Sequence, residues 1–74
     1  MEVQIKQNPY SGRWDLRPND AVSRLRFREE ESGFTNETIA MWMGRDWFQN
    51  YMHGAFGTGV WLVAHIPDNT REVK

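Results

Sequence analysis

The chain contains no cysteine. No disulfide can staple it, no thiolate can hold a metal, and no thiol can act as a nucleophile. For a chain of 74 residues this is a severe constraint. Below roughly 70–80 residues a hydrophobic core rarely supplies more than about 3–5 kcal/mol, and many small proteins add a covalent or metal staple. Ring size is the compensation available here. Four tryptophans, four phenylalanines and two tyrosines are present, and each ring can bury about 150–250 Å². The same length limits the chain to one domain, residues 1–74. Oligomerisation is the other route to buried area, so a structural homodimer stays among the expectations.

Hydrophobic period assigns the elements. Residues 2–6 alternate, with Val3 and Ile5 on one side and Glu2, Gln4 and Lys6 on the other, the pattern of a half-buried strand. The turn formers Asn8, Pro9, Ser11 and Gly12 follow. Alternation then resumes with Trp14 and Leu16 inward, so the two segments read as a hairpin with a loop over residues 8–12. Residues 21–30 alternate once more. Ala21, Ser23, Leu25 and Phe27 share one face, and Val22, Arg24, Arg26 and Arg28 share the other. A helix would set Leu25 and Phe27 about 200° apart with no coherent stripe, so a third strand is expected, ended by an acidic turn at Glu29, Glu30 and Glu31.

Residues 36–53 read as a helix, with Asn36 as N-cap and Gly54 as the stop. Ala40, Met43, Trp47, Phe48 and Tyr51 fall on one side of it. Gly44 and an outward Trp42 disturb this pattern. A short strand over 37–43 followed by a helix over 46–53, capped by Asp46, is the alternative. Residues 54–59 form a glycine-rich connector. They run out of a helix C-terminus rather than into a helix N-terminus, which is the wrong way round for a phosphate loop. The run over 60–66 is apolar on both faces and reads as a central strand covered on both sides. The tail over 70–74 is polar and expected to fray. The expected fold is α+β: a three- or four-stranded, mainly antiparallel sheet packed against one helix, in the order β-β-β-α-β.

Catalytic and metal chemistry find little support. The two histidines, His53 and His65, sit at a helix end and on an apolar strand, with no nucleophile or ligand spacing around them. The chain is expected not to be an enzyme and to need no cofactor. The first residues lack a basic segment leading into an apolar run. The longest apolar run, 60–64, falls far short of a membrane span. A cytoplasmic protein with no membrane partner is expected.

Charge is the more informative feature. The formal net charge is −1, which argues against a simple polybasic nucleic-acid binder. It conceals a segregation. Residues 13–28 carry five arginines against two aspartates, and residues 29–37 carry four glutamates and no basic residue. On a strand, Arg24, Arg26 and Arg28 would form a ladder about 6.5–7 Å apart, needing internal carboxylates, solvent or an external anion to neutralise it. Arginine forms bidentate pairs with carboxylate and phosphate, and arginine, tryptophan and methionine are enriched at protein interfaces.

The expected function is therefore a small protein-binding module: an inhibitor, adaptor or regulatory subunit that occupies a surface of a larger partner. Its contact residues would be Arg24, Arg26, Arg28 and Trp42, extended by Arg13 and Arg17. The acidic turn of Glu29, Glu30 and Glu31 would serve instead against a basic partner. The alternative is a nucleic-acid-binding regulator whose arginines meet phosphates while exposed rings stack on bases.

Overall fold

A computed structural model describes residues 1–54 and 59–71. The hairpin expected from alternation is present. Strands β1 (Glu2–Gln7) and β2 (Trp14–Pro18) pair antiparallel with Ile5 opposite Leu16. Val3, Ile5, Trp14 and Leu16 are completely buried, so every second residue is core. The turn is built by Asn8. Its Oδ1 accepts from the backbone N–H groups of Tyr10 and Ser11 at 2.8 and 3.0 Å, and its own N–H donates to the Arg13 carbonyl at 2.8 Å.

The third expected strand is a helix instead. Helix α1 spans Ala21–Arg26 and opens on a reciprocal cap. Asp20 Oδ1 accepts from the Ser23 N–H at 2.8 Å, while Ser23 Oγ accepts from the Asp20 N–H at 3.0 Å. The alternation over 21–28 straddles the end of this helix. Phe27 is its C-cap, already extended at φ −126°, ψ 146°. Leu25 and Phe27 therefore need not share a helical stripe, and the argument against a helix fails. Leu25 is 70% exposed, whereas Phe27 is 4% exposed and part of the core. The arginine ladder expected on a strand is lost with the strand.

Strand β3 (Glu31–Phe34) follows, pairing antiparallel with β2 across a bulge at Trp14/Asp15. The segment over 36–53 is helical but broken. Helix α2 spans Asn36–Met43 and helix α3 spans Arg45–Gly54. Gly44 between them lies at φ 93°, ψ 150°, a region essentially reserved for glycine. Thr35, not Asn36, is the N-cap, its Oγ1 accepting from the Thr38 N–H at 3.3 Å. The break lets the two helices rotate independently. Ile39, Trp42 and Met43 pack inward from α2, and Trp47, Phe48 and Tyr51 from α3. A single helical wheel over 36–53 puts Trp42 outside; the real geometry puts it inside.

Strand β4 (Leu62–His65) completes an all-antiparallel sheet of order β3-β2-β1-β4. The α+β class holds, with three helices rather than one and the order β-β-α-β-α-α-β. Among the described residues the last strand is an edge, paired only with β1, not an interior strand. Its two faces differ. Ala64 is buried, while Val63 is 57% exposed. Trp61, just before it, lies against Lys6 and Arg17, whose charged groups sit 4.6 and 4.1 Å from its ring centre. An apolar run thus served an edge strand whose outer tryptophan is covered by cations. Beyond β4, Thr70 is buried and Arg71 bonds to Glu31; residues 72–74 and most of the glycine-rich connector, 55–58, lie outside the described residues.

Seven of the rings form two groups on the inner face of the sheet. Trp14 meets Trp47, Phe48 and Tyr51 at 6.2, 6.1 and 4.7 Å between ring centres. Phe27, Phe34 and Trp42 meet edge to face at 5.2–6.5 Å. The second group backs the site described next.

Candidate functional site

The cap of α1 and the bulged pairing of β3 bring the basic and acidic runs of the sequence to one place. An open cleft of about 590 Å³ lies between the end of α1, the start of β3 and the segment after β4. Arg24, Arg26 and Arg28 line it, as do Glu30 and Glu31. Arg71 contributes a fourth guanidinium, with Leu25, Phe27 and Ser32 completing the wall. Glu29 is exposed in the same turn.

Two of the charges are fixed internally. Glu31 accepts from the Arg28 backbone N–H at 2.9 Å and from Arg71 Nη1 at 2.8 Å. Partial burial works against its charge, but these two bonds and the charges of Arg71 and Arg28 outweigh it. Its pKa therefore falls below the ordinary glutamate value. The Arg71 guanidinium also sits 5.0 and 5.9 Å from the ring centres of Phe27 and Phe34, so the arginine, the carboxylate and the rings hold one another. Arg26 makes a longer bond, Nε to the Asp68 carbonyl at 3.4 Å.

Arg24 and Arg28 differ from these. Among the described residues no carboxylate oxygen lies within 4 Å of either guanidinium, and both residues are exposed. Among the described residues the cleft thus has four cations against two carboxylates, and its surplus falls to the two arginines that make no ion pair there. That arrangement suits an incoming anion.

The other expected contact residues lie elsewhere. Arg13 donates from Nη1 to the Gly33 carbonyl at 3.2 Å and borders a smaller hollow of about 230 Å³ with Asn36 and Glu37. Arg17 is on the opposite face of the sheet, bonded to the Gln4 side chain and stacked on Trp61. Neither extends the cleft. Trp42, expected to be the exposed ring, is half-buried behind Phe27 at 5.7 Å between ring centres. It supports the cleft wall from inside. Of the two histidines, His53 is exposed at the end of α3. His65 is exposed on β4 with Nε2 3.4 Å from Glu2 Oε2.

Sequence reasoning missed Arg71 and Phe27. Nothing in the local pattern distinguishes Arg71 from a polar tail. Its role depends on the chain beyond β4 returning past α1 to β3. Phe27 had an indirect signal in the Asp20/Ser23 spacing, which marks a helix start and so argues against one continuous strand through Phe27.

No family model, curated protein or solved structure matches the chain. No helix among the described residues is long and apolar enough to cross a membrane.

Proposed function

We propose that the chain is a small non-enzymatic protein-binding module that docks on a larger partner as inhibitor, adaptor or regulatory subunit, and that the cleft between α1 and β3 is its contact surface. One observation carries this reading: two exposed arginines that make no ion pair among the described residues, Arg24 and Arg28, flank a wall that also offers the exposed Leu25. Charged groups able to form directional pairs beside an exposed apolar side chain are the ingredients of a protein contact. Trp42 has no direct part in it, and Arg13 and Arg17 belong to other surfaces. Glu29 and Glu30 are the acidic side of the same surface.

The test is retention of a partner from the native cytosol on immobilised protein, with wild type, the pair Arg24→Glu/Arg28→Glu, and the pair Glu29→Lys/Glu30→Lys run in parallel. The expected result is a partner retained by wild type and lost with the arginine pair. Retention indifferent to both pairs sinks the reading. The rival is a nucleic-acid regulator. It requires binding whose logarithm falls linearly with the logarithm of salt concentration, by about one unit per phosphate contact, and a polarisation titration with an oligonucleotide at two salt concentrations reads this directly. A concentration series in sedimentation velocity checks the remaining option, a homodimer.

A further inference from the structure

Resting on that reading, we infer the chemistry of the occupant: an acidic peptide segment of the partner, with carboxylates on Arg24 and Arg28 and an apolar side chain on Leu25. Three features of the cleft select this class.

The first is the sign of its free charge. Arg71 is committed to Glu31 and to the rings of Phe27 and Phe34, and Arg26 is turned toward the Asp68 carbonyl. What remains without an ion pair among the described residues is Arg24 and Arg28, the latter close enough to Glu31 for its charge to be felt there. A guanidinium pairs with a carboxylate through two parallel N–H···O bonds, and such charge-assisted pairs are among the strongest polar contacts available.

The second is the lack of a stacking surface. Single-stranded nucleic acid gains much of its affinity from bases laid on exposed rings. Among the described residues Phe27 is the one aromatic residue lining the cleft, and it is 4% exposed. Trp42 lies behind it, edge-on. A base entering here finds no ring face.

The third is the pair of carboxylates in the wall. Glu30 and Glu31 line the cleft alongside the arginines, and the pKa of Glu31 lies below the ordinary glutamate value. A phosphate backbone carries a charge on every unit and has to bring some of them against these groups. A peptide can set neutral or basic residues opposite Glu30 and Glu31 and carboxylates opposite Arg24 and Arg28. It also has side chains to lay on Leu25, which is 70% exposed.

The experiment is fluorescence anisotropy with four labelled probes: a peptide of glutamates punctuated by leucines, the same peptide with glutamine for glutamate, a lysine–leucine peptide, and oligothymidylate. The inference expects the glutamate peptide to bind, the glutamine peptide to fail, and added salt to weaken binding. Arg24→Ala and Arg28→Ala should each weaken it roughly tenfold, the loss of one charged hydrogen-bonded contact. Arg24→Lys keeps the charge without the fork and should fall between wild type and Arg24→Ala. Both arginines are exposed, and the Arg28 bond to Glu31 uses the backbone, so the variants should keep the wild-type circular dichroism. The inference is overturned by no glutamate-peptide binding, by tighter Arg24-dependent binding of oligothymidylate, or by lysine-peptide binding that depends on Glu29 and Glu30. If the glutamate peptide fails but partner retention still depends on Arg24 and Arg28, the occupant is wrong and the docking surface stands. If retention is also indifferent to them, both fall.

Discussion

The Oδ1 of Asn36 accepts from the indole N–H of Trp14 at 2.8 Å, with the Gln7 amide 3.5 Å away. Trp14 and Gln7 are completely buried, so an exposed residue at the start of α2 satisfies a donor deep in the hairpin. Capping by Thr35 leaves the Asn36 side chain available for this task. Asn36→Ala strands the Trp14 N–H, and a buried donor left without its acceptor costs about 1–3 kcal/mol. Urea denaturation should show that loss, with Asn36→Asp, which keeps the acceptor oxygen, closer to wild type. Equal losses in the two variants would refute the role. Asp20 is a second such residue. Its carboxylate accepts from the Ser23 N–H at 2.8 Å and from the Glu2 N–H at 2.7 Å. The Ser23 bond is the main cause of its lowered pKa; burial opposes it, and the Glu2 bond adds to it. A folded pKa below the unfolded one stabilises the fold fully above the ordinary aspartate value. That contribution disappears as pH falls through the folded value. Denaturation midpoints taken from neutral to strongly acid pH should fall on the acid side for wild type and more shallowly for Asp20→Asn. Asp20→Asn should also be the less stable of the two at neutral pH. Parallel curves for the two proteins would contradict this account.

At the level of elements, Gly44 decides where two groups of rings sit. Its φ of 93° ends α2 and lets α3 begin along a new direction. No heavy atom blocks a Cβ there, so the cost of Gly44→Ala is backbone strain, about 1–3 kcal/mol. If the variant instead gained stability, or gained helix by far-ultraviolet dichroism, the break would be a weak preference rather than a requirement. The same elements explain what could be read in advance. Val3, Ile5, Trp14 and Leu16 alternate within single strands, so period two found the hairpin and its buried face. Residues 21–28 alternate as well, but across a helix end, and a six-residue helix is too short to display a stripe of its own. The cap at Asp20 and Ser23 was the stronger signal, and the alternation hid it. Residues 60–66 looked covered on both sides because Trp61 and Val63 are apolar. Their outer positions became visible only with Lys6 and Arg17 in place around Trp61. As for the site, its arginines and glutamates were legible as neighbours in sequence. Their geometry was not, because it rests on Arg71, more than forty residues from Arg28 along the chain.

Across the whole molecule, Arg71 joins the two margins of the sheet. Strand β4 is one edge and β3 the other, and the chain leaving β4 returns to place Arg71 on Glu31. Strand β3 has four residues and a bulged register, so its own ladder holds it weakly. Arg71 adds an ion pair and contacts with Phe27 and Phe34. Replacing it by methionine removes the charge and keeps an apolar side chain over the rings. The pair is partly exposed, so the global loss should be no more than about 1 kcal/mol. The local effect should be larger in proportion. Amide exchange in β3 should accelerate while β1 and β2, buried at the centre of the sheet, stay as slow as global unfolding allows. The pH dependence follows from Glu31. With its folded pKa below the ordinary glutamate value, the tether contributes fully above that value and is lost as pH falls through the folded one. Acid should therefore accelerate β3 exchange in wild type and change it less in Arg71→Met, once the intrinsic pH dependence of exchange is removed. A uniform rise in exchange over all four strands would show instead that Arg71 holds the fold as a whole and that the cleft wall does not open separately.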